Sequence, residues 1–271
     1  RRQRQMCIRD RYNSTSERRV ANMQLRRWNE LPGVMRTREV RKYYNIIKKR
    51  QMSLKIKRLF DIVAASIMLM FLAVPMLVIA VCIKLDSRGP VFFRQERVTQ
   101  YGRIFRIYKF RTMVVDAPKL GASVTVDNDD RITRVGKVLR KIRADEFPQV
   151  FNIINGDMTL VGTRPEVPEY VKKYTKEMYS TLLLPAGLTS RTSIAYKDED
   201  KILAGAADPD EAYVKEVLPA KMKYNLEALK KFGFVEDCRV LWDTFTSVTG
   251  NDRLSVTGRT GSKAAGRSIN V

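Results

Sequence analysis

The chain of 271 residues contains no histidine. That absence excludes Ser-His-Asp triads, histidine metal ligation and imidazole acid–base catalysis near neutral pH. Cysteine is nearly as scarce: Cys7, Cys82 and Cys238 stand far apart, so neither a disulfide framework nor a paired-cysteine zinc site can be drawn. Such usage suits a reducing, cytosol-facing location. Acidic residues are in deficit, 29 against 51 lysines and arginines, for a net charge of +22 and a pI near 10.1. A surplus this large calls for an anionic partner: nucleic acid, a membrane surface or phosphorylated substrates. RNP-like, KH-like and zinc-finger patterns are missing, so nucleic acid is not the expected partner. No internal repeat is visible. A hydrophobic content of 44% excludes a wholly disordered chain.

The charge is unevenly spread. Residues 1–58 hold 19 basic and 4 acidic residues, a net of +15, and the other 213 residues carry only +7. Residues 24–51 read as short basic helices with Trp28, Leu31, Tyr43, Ile46 and Ile47 as apolar contacts. On an anionic leaflet each basic residue near the surface gains about 1 kcal/mol; a solvated charged face is the alternative. Residues 6–11, MCIRDR, resemble a translated sequencing-adapter end, and Met23 is the expected native start.

Ile62–Ile83 follows, 22 residues without a charge and with Pro75 a little past the middle. As a helix it would be about 33 Å long, enough to cross the hydrocarbon layer. It lies too deep in the chain for a cleaved signal peptide. A buried core helix is the competing reading, but uninterrupted apolar runs this long are rare in soluble cores. Lys55, Lys57 and Arg58 precede the run, and Lys84, Arg88, Arg94 and Arg97 follow it, so both flanks carry the cytoplasmic mark. Pro75 removes a backbone hydrogen bond near mid-depth. Together these favour a kinked, re-entrant helix with both ends on the cytoplasmic face over a kinked spanning helix.

Gly89-Pro90 predicts a turn, and VFFRQERV (91–98) with RIFRIYKF (103–110) around Tyr101-Gly102 predicts a β-hairpin. Residues 116–130 read as a polar loop. Ile132, Val135, Leu139 and Ile142 repeat at helical spacing, leaving Arg131, Arg134, Lys137, Arg140 and Lys141 off the apolar stripe. A second short helix is expected from Asp145-Glu146, with Pro148 in its first turn and Asn155-Gly156 as its stop. Later stripes carry Val167, Val171, Tyr174 and Met178; Met222, Leu226 and Leu229; and Phe234, Cys238, Leu241, Phe245 and Val248. They read as core faces, or as helices lying in a membrane interface. The Gly-, Ser- and Thr-rich tail from Asn251 is expected to be disordered.

Without histidine, chemistry falls to carboxylates, lysine, cysteine, tyrosine and hydroxyls. The densest cluster is RKIRADEFPQVFNIINGDMTLVGTRP, residues 140–165. Adjacent acids at a helix start are commonly structural, because carboxylates offset the positive N-terminal dipole. Here Arg140, Lys141, Arg143 and that dipole would also keep Asp145 ionised, as a carboxylate nucleophile requires. Glu146 would offer a hard oxygen to Mg²⁺, an ion that bridges one or two carboxylates and substrate phosphates. Arg164, with Lys109 and Arg111 of YKFRTM, could receive phosphate oxygens.

GPVFFRQERV, IYKFRTM, the R-x4-DE-x-PQ-x2-N block and GDMTLVG-x-RP together resemble the bacterial sugar transferase family, monotopic polyprenol-phosphate phosphoglycosyl transferases that initiate cell-surface glycan synthesis. The similarity runs from about Lys55 to Val248. It implies an α+β, membrane-associated monotopic fold with a re-entrant membrane helix, here over 52–88 and kinked at Pro75, and a cytosol-facing catalytic domain, here over 89–250; the composition adds a basic N-terminal extension over 1–51 and a tail over 251–271. It implies Asp145 as the nucleophile that attacks the sugar-proximal phosphorus of a nucleotide sugar, with polyprenyl phosphate as acceptor. Glu146 matches the partner acid assigned to Mg²⁺, Asp157 the acid of the Gly-Asp-Met turn and a second metal candidate. Arg140 matches a basic residue near phosphate or lipid headgroups, and Arg164 the arginine of Pro-Arg-Pro. Thr163 departs from that element's first proline, and PAGLTSRTS (185–193) only approximates Pro-Gly-(Ile/Leu)-Thr-Gly, so the sugar is not carried over. The rival reading is a basic membrane-anchored scaffold for anionic lipid or nucleic acid. Homo-oligomerisation is left open.

Overall fold

The computed structural model describes residues 23–117, 129–196 and 208–248; residues 1–22, most of the expected 116–130 loop and the tail from Asn251 lie outside the described residues. Short 3-10 turns at Trp28–Glu30 and Gly33–Met35 lead into α1 (Arg38–Lys49) and α2 (Gln51–Asp86). Strands β1 (Phe92–Val98) and β2 (Ile104–Phe110) follow, then α3 (Arg134–Lys141), a 3-10 turn at Ala144–Glu146, α4 (Gln149–Ile154) and β3 (Met158–Val161). After α5 (Pro168–Val171) and a 3-10 segment at Met178–Leu183 come β4 (Ala186–Thr189) and α6 (Arg191–Ala195). The last elements are α7 (Pro209–Ala212), a π-helical stretch at Tyr213–Val217, α8 (Leu218–Lys230) and α9 (Phe234–Val248). Helix and sheet are thus mixed, as expected.

Thr37 caps α1 by accepting from the Val40 amide at 3.4 Å, with Glu39 in the first turn and Lys48 and Lys49 in the last, all favourable to the helix dipole. Val40, Tyr43, Tyr44 and Ile47 repeat at i, i+3, i+4, i+7 and are buried. They join Leu183, Leu218, Met222 and Phe232 in the largest core cluster. The stretch read as a basic extension is therefore, from Met23 onward, part of the folded body: Met23, Leu31 and Met35 join the same core, and most of its charges face out.

The expected hairpin is present, with Phe92 opposite Phe110 and Val98 opposite Ile104. Its turn uses positive φ at Tyr101 (60°) and Gly102 (80°). Tyr101 bears that strain because its ring is buried and its hydroxyl accepts from the Arg26 amide at 3.0 Å. The sequence did not predict the second, parallel pair, β3 with β4. It closes where Gly162 meets Gly187: a Cβ on Gly187 would lie 2.2 Å from the Gly162 nitrogen. Two amides seal the junction, Gly162 N to Thr189 O at 3.0 Å and Gly187 N to Thr163 O at 2.8 Å.

Helix α2 is long and apolar enough to cross a membrane, 36 residues that continue through Pro75. One stripe of it is buried along its length, from Leu54 through Ala65 and Met76 to Ile83. The opposite face leaves Met70, Phe71, Val74 and Leu77 67–71% exposed. Both ends are tied to the same body. At the start, Lys57 pairs with Asp237 at 2.7 Å, Arg58 donates to Ile153 O at 2.7 Å, and Asp61 accepts from Thr159 Oγ1 at 2.5 Å and the Leu160 amide at 3.1 Å. At the finish, Asp86 accepts from the Val135 amide at 3.0 Å in the first turn of α3, whose N-cap is Thr133.

Two helical stripes differ from expectation. In α3, Leu139 is buried but Ile142 just beyond it, together with Val138, is about 60% exposed, because α3 sits on the chain at Thr112 through Gly136 rather than through Ile142. In α9, Cys238 and Phe245 are exposed while Asp237 and Val240 are buried, since Lys57 draws Asp237 inward.

Candidate active site

Arg143 carries a left-handed φ of 55°, and the chain turns there out of α3 into the 3-10 turn bearing Asp145 and Glu146. A non-glycine residue in this region costs of order 1–3 kcal/mol and is held only by its surroundings. The turn packs against β2, and Ala144 is buried beneath it with Phe110 and Leu139. Both carboxylates are largely enclosed, with 13% and 14% of their side chains exposed.

Glu146 is the better held of the two. Lys109 at the end of β2 donates to its Oε1 at 2.9 Å. Arg164, from the loop after β3, donates to both carboxylate oxygens, to Oε2 at 3.2 Å. Burial alone would raise the proton affinity of Glu146, but Arg164 and Lys109 outweigh it and hold the carboxyl well below its usual range. Glu146 in turn raises the pKa of Arg164. Asp145 lies 3.8 Å from Lys109 through Oδ2. Burial pushes its pKa up, with the Glu146 charge adding to the rise and Lys109, Arg140 and Arg164 opposing it. Of Arg140, Lys141 and Arg143, expected from the sequence to keep Asp145 ionised, Arg140 opposes the rise, and the desolvation was not part of that expectation. A buried carboxylate of raised pKa is a stronger nucleophile once ionised.

The other sequence candidates divide. Lys109, Arg140 and Arg164 all act on Asp145. Arg111 is placed elsewhere: buried, it donates to Ser87 O at 2.7 Å, Ser87 Oγ at 2.8 Å and Arg88 O at 2.9 Å, and so locks the end of α2. Strand β2 ends at Phe110, so Arg111 does not continue the face that carries Lys109. Asp157 accepts from Arg103 at 2.7 Å and from Asn152 at 3.4 Å, shaping the turn between α4 and β3. Among the described residues no group of three or more Asp, Glu, Cys or His could hold a metal ion, so Asp157 does not complete a cage with Asp145 and Glu146. Asn152, the last residue of the R-x4-DE-x-PQ-x2-N block, joins the site to the hairpin: its side-chain amide accepts from Tyr108 N at 2.8 Å and donates to Arg106 O at 3.1 Å. Asn is fully buried there, a signal that composition alone does not carry.

Paired hard carboxylates and converging cations, set beside a long apolar helix, are the equipment of an enzyme that handles phosphates at a membrane. A family model described as bacterial sugar transferase matches residues 50–251, and the chain belongs to that family. A UDP-N-acetylgalactosamine-undecaprenyl-phosphate N-acetylgalactosaminephosphotransferase of Aeromonas hydrophila is 38% identical over 197 residues, 71% of this chain and 43% of that protein. An undecaprenyl-phosphate glucose phosphotransferase of Komagataeibacter xylinus is 45% identical over 114 residues, 42% of this chain and 21% of its own. A UDP-glucose:undecaprenyl-phosphate glucose-1-phosphate transferase of Klebsiella pneumoniae is 41% identical over 118 residues, 44% of this chain and 25% of its own. The chain thus spans less than half the length of these relatives.

Proposed function

We propose that the protein transfers a sugar 1-phosphate from a UDP-sugar to undecaprenyl phosphate on the cytoplasmic face of the bacterial inner membrane, as the first membrane step of an exopolysaccharide, capsule, O-antigen or glycoprotein glycan. The carrying observation is the asymmetry of the carboxylate pair: Glu146 is fixed by Arg164 and Lys109, while Asp145 makes one looser contact of 3.8 Å and has its pKa raised. Relatives named for undecaprenyl-phosphate sugar phosphotransfer supply the substrate class.

In this reading the Asp145 carboxylate attacks the sugar-proximal phosphorus. The bond from that phosphorus to the bridging oxygen breaks and UMP leaves with the electron pair. A phosphate oxygen of the acceptor then attacks the same phosphorus, the acyl phosphate bond breaks, and Asp145 is released as carboxylate. Glu146 keeps Lys109 and Arg164 aimed at the developing charge, the preorganisation that lowers such barriers most. The donor chemistry fits Mg²⁺: a hard carboxylate suits an ion that takes its remaining ligands from substrate phosphates and water. Glu146 would hold it, and when bound it supplies charge neutralisation on the diphosphate.

The arrangement of α2 supports a monotopic topology. A helix whose two ends are pinned to one folded body, by Lys57, Arg58 and Asp61 at one end and by Asp86 and Arg111 at the other, keeps both ends on the side of the bilayer where that body lies. Re-entry at Pro75 is the form this reading takes.

The test is incubation of the purified full chain with a panel of radiolabelled UDP-sugars, undecaprenyl phosphate and Mg²⁺. The wild type should yield lipid-linked product and, with donor alone, labelled protein and free UMP. Equal product from Asp145→Asn would remove the nucleophile from the scheme. Cysteine labelling before Lys55 and after Arg88 should report the same membrane face.

A further inference from the structure

Lys109 and Arg164, which contact the carboxylate pair, are committed to Glu146. A donor diphosphate adds two further negative charges, so the site needs cations that a carboxylate has not already claimed. Arg97 is such a group. Its guanidinium donates to Pro165 O at 3.3 Å and to Gln95 Oε1 at 2.6 Å, both neutral, and among the described residues no carboxylate lies within 4 Å of it. Most of its five N–H donors therefore stay available.

Its surroundings keep it so. Besides burial, which is the largest influence, the groups that act on it are Glu166, Arg164, Tyr213 and Glu146. Glu166 is taken up elsewhere, accepting from the Tyr213 hydroxyl at 2.7 Å and lying 3.6 Å from Lys221. Glu146 belongs to Arg164. Through Pro165 the guanidinium is anchored to the residue next to Arg164, which sets the two arginines side by side.

The hairpin register gives the direction. Phe93 opposes Lys109 and Arg97 opposes Phe105, so Lys109 and Arg97 leave the same face four residues apart, about 13 Å along the strand. Lys109, Arg164 and Arg97 form a row longer than one phosphate. The Phe92 and Phe110 end of the hairpin adjoins the end of α2, where Arg111 holds Ser87, and an acceptor phosphate tied to lipid belongs there. Arg97 is at the other end.

The geometry points to Arg97 as a further phosphate-binding residue, which receives the diphosphate of the nucleotide-sugar donor beside Arg164. This rests on the function proposed above. The experiment measures binding of UDP to the full chain in detergent with Mg²⁺, for the wild type, Arg97→Gln and Arg97→Lys, alongside melting temperature and the KM for undecaprenyl phosphate. Arg97→Gln should bind UDP about tenfold more weakly, Arg97→Lys should recover part of the loss, and the acceptor KM should not move. UDP affinity unchanged in Arg97→Gln would overturn the assignment. So would a raised acceptor KM alone, which would move Arg97 to the acceptor, or a loss of affinity that tracks melting temperature and that lysine does not rescue, which would leave only the Pro165 contact. A wild type that binds no UDP would overturn the proposed donor itself, and this inference with it.

Discussion

Arg164 grips Glu146 through both of its terminal nitrogens and leaves the neighbouring Asp145 outside that grip. The two adjacent carboxylates have opposite characters: Arg164 and Lys109 hold Glu146 below its usual pKa, and burial holds Asp145 above its own. Replacing the fixed one should be felt through the other. Glu146→Gln frees Lys109 and Arg164 and should lower kcat by about 10²-fold, read as lipid-linked product formed with saturating substrates.

The pH profile follows from Asp145. As the proposed nucleophile it must be ionised to attack, and burial places its pKa above the ordinary aspartate value of about 3.9. The single-turnover rate should fall as pH drops through that raised value. Lys109 opposes the rise, so Lys109→Gln should move the acidic limb to higher pH. A limb that Lys109→Gln leaves in place would contradict this account.

Stability should respond to Asp145 with the reverse sign from activity. A carboxyl whose pKa is raised in the folded state binds its proton more tightly there, so near neutral pH the ionised form weakens the fold. Asp145→Asn should melt higher than the wild type at neutral pH. The gain should shrink as pH falls through the folded pKa, and vanish below the unfolded one. Calorimetry at several pH values checks both parts.

Arg111→Ala removes three hydrogen bonds from a buried guanidinium at the end of α2. It should cost about 3 kcal/mol of stability, and any folded remainder should keep the wild-type donor KM. A raised KM at unchanged stability would return Arg111 to the phosphate site.

Gly187→Ala should be harsher. The new Cβ would lie 2.2 Å from both the nitrogen and the oxygen of Gly162, backbone atoms that cannot swing away. Loss of about 3 kcal/mol or more is expected, with activity lost alongside it because Thr163 and Arg164 follow that junction. Urea denaturation against the wild type measures it.

The hairpin, the long apolar helix and the 140–165 block were legible because each signal is local: β-branched runs about a Gly turn, 22 uncharged residues, and acids and bases packed into one stretch. What was not legible depends on partners far away in sequence. Asp237 turns inward because Lys57 meets it, and so α9 presents a different face from the one its apolar spacing marks. β3 and β4 are four residues each, too short for alternation to show, and their pairing is fixed by the meeting of Gly162 and Gly187. Lys109 and Arg111 look alike in YKFRTM, but β2 stops between them. Arg97 was visible only as a flanking charge, because its tie to Pro165 spans 68 positions.

One contact at the end of α2 reaches further. Asp86, the last residue of that helix, also holds the first turn of α3 through the Val135 amide, and α3 ends at the turn that carries Asp145. The long apolar helix and the carboxylate pair are thus joined through one helix of 8 residues.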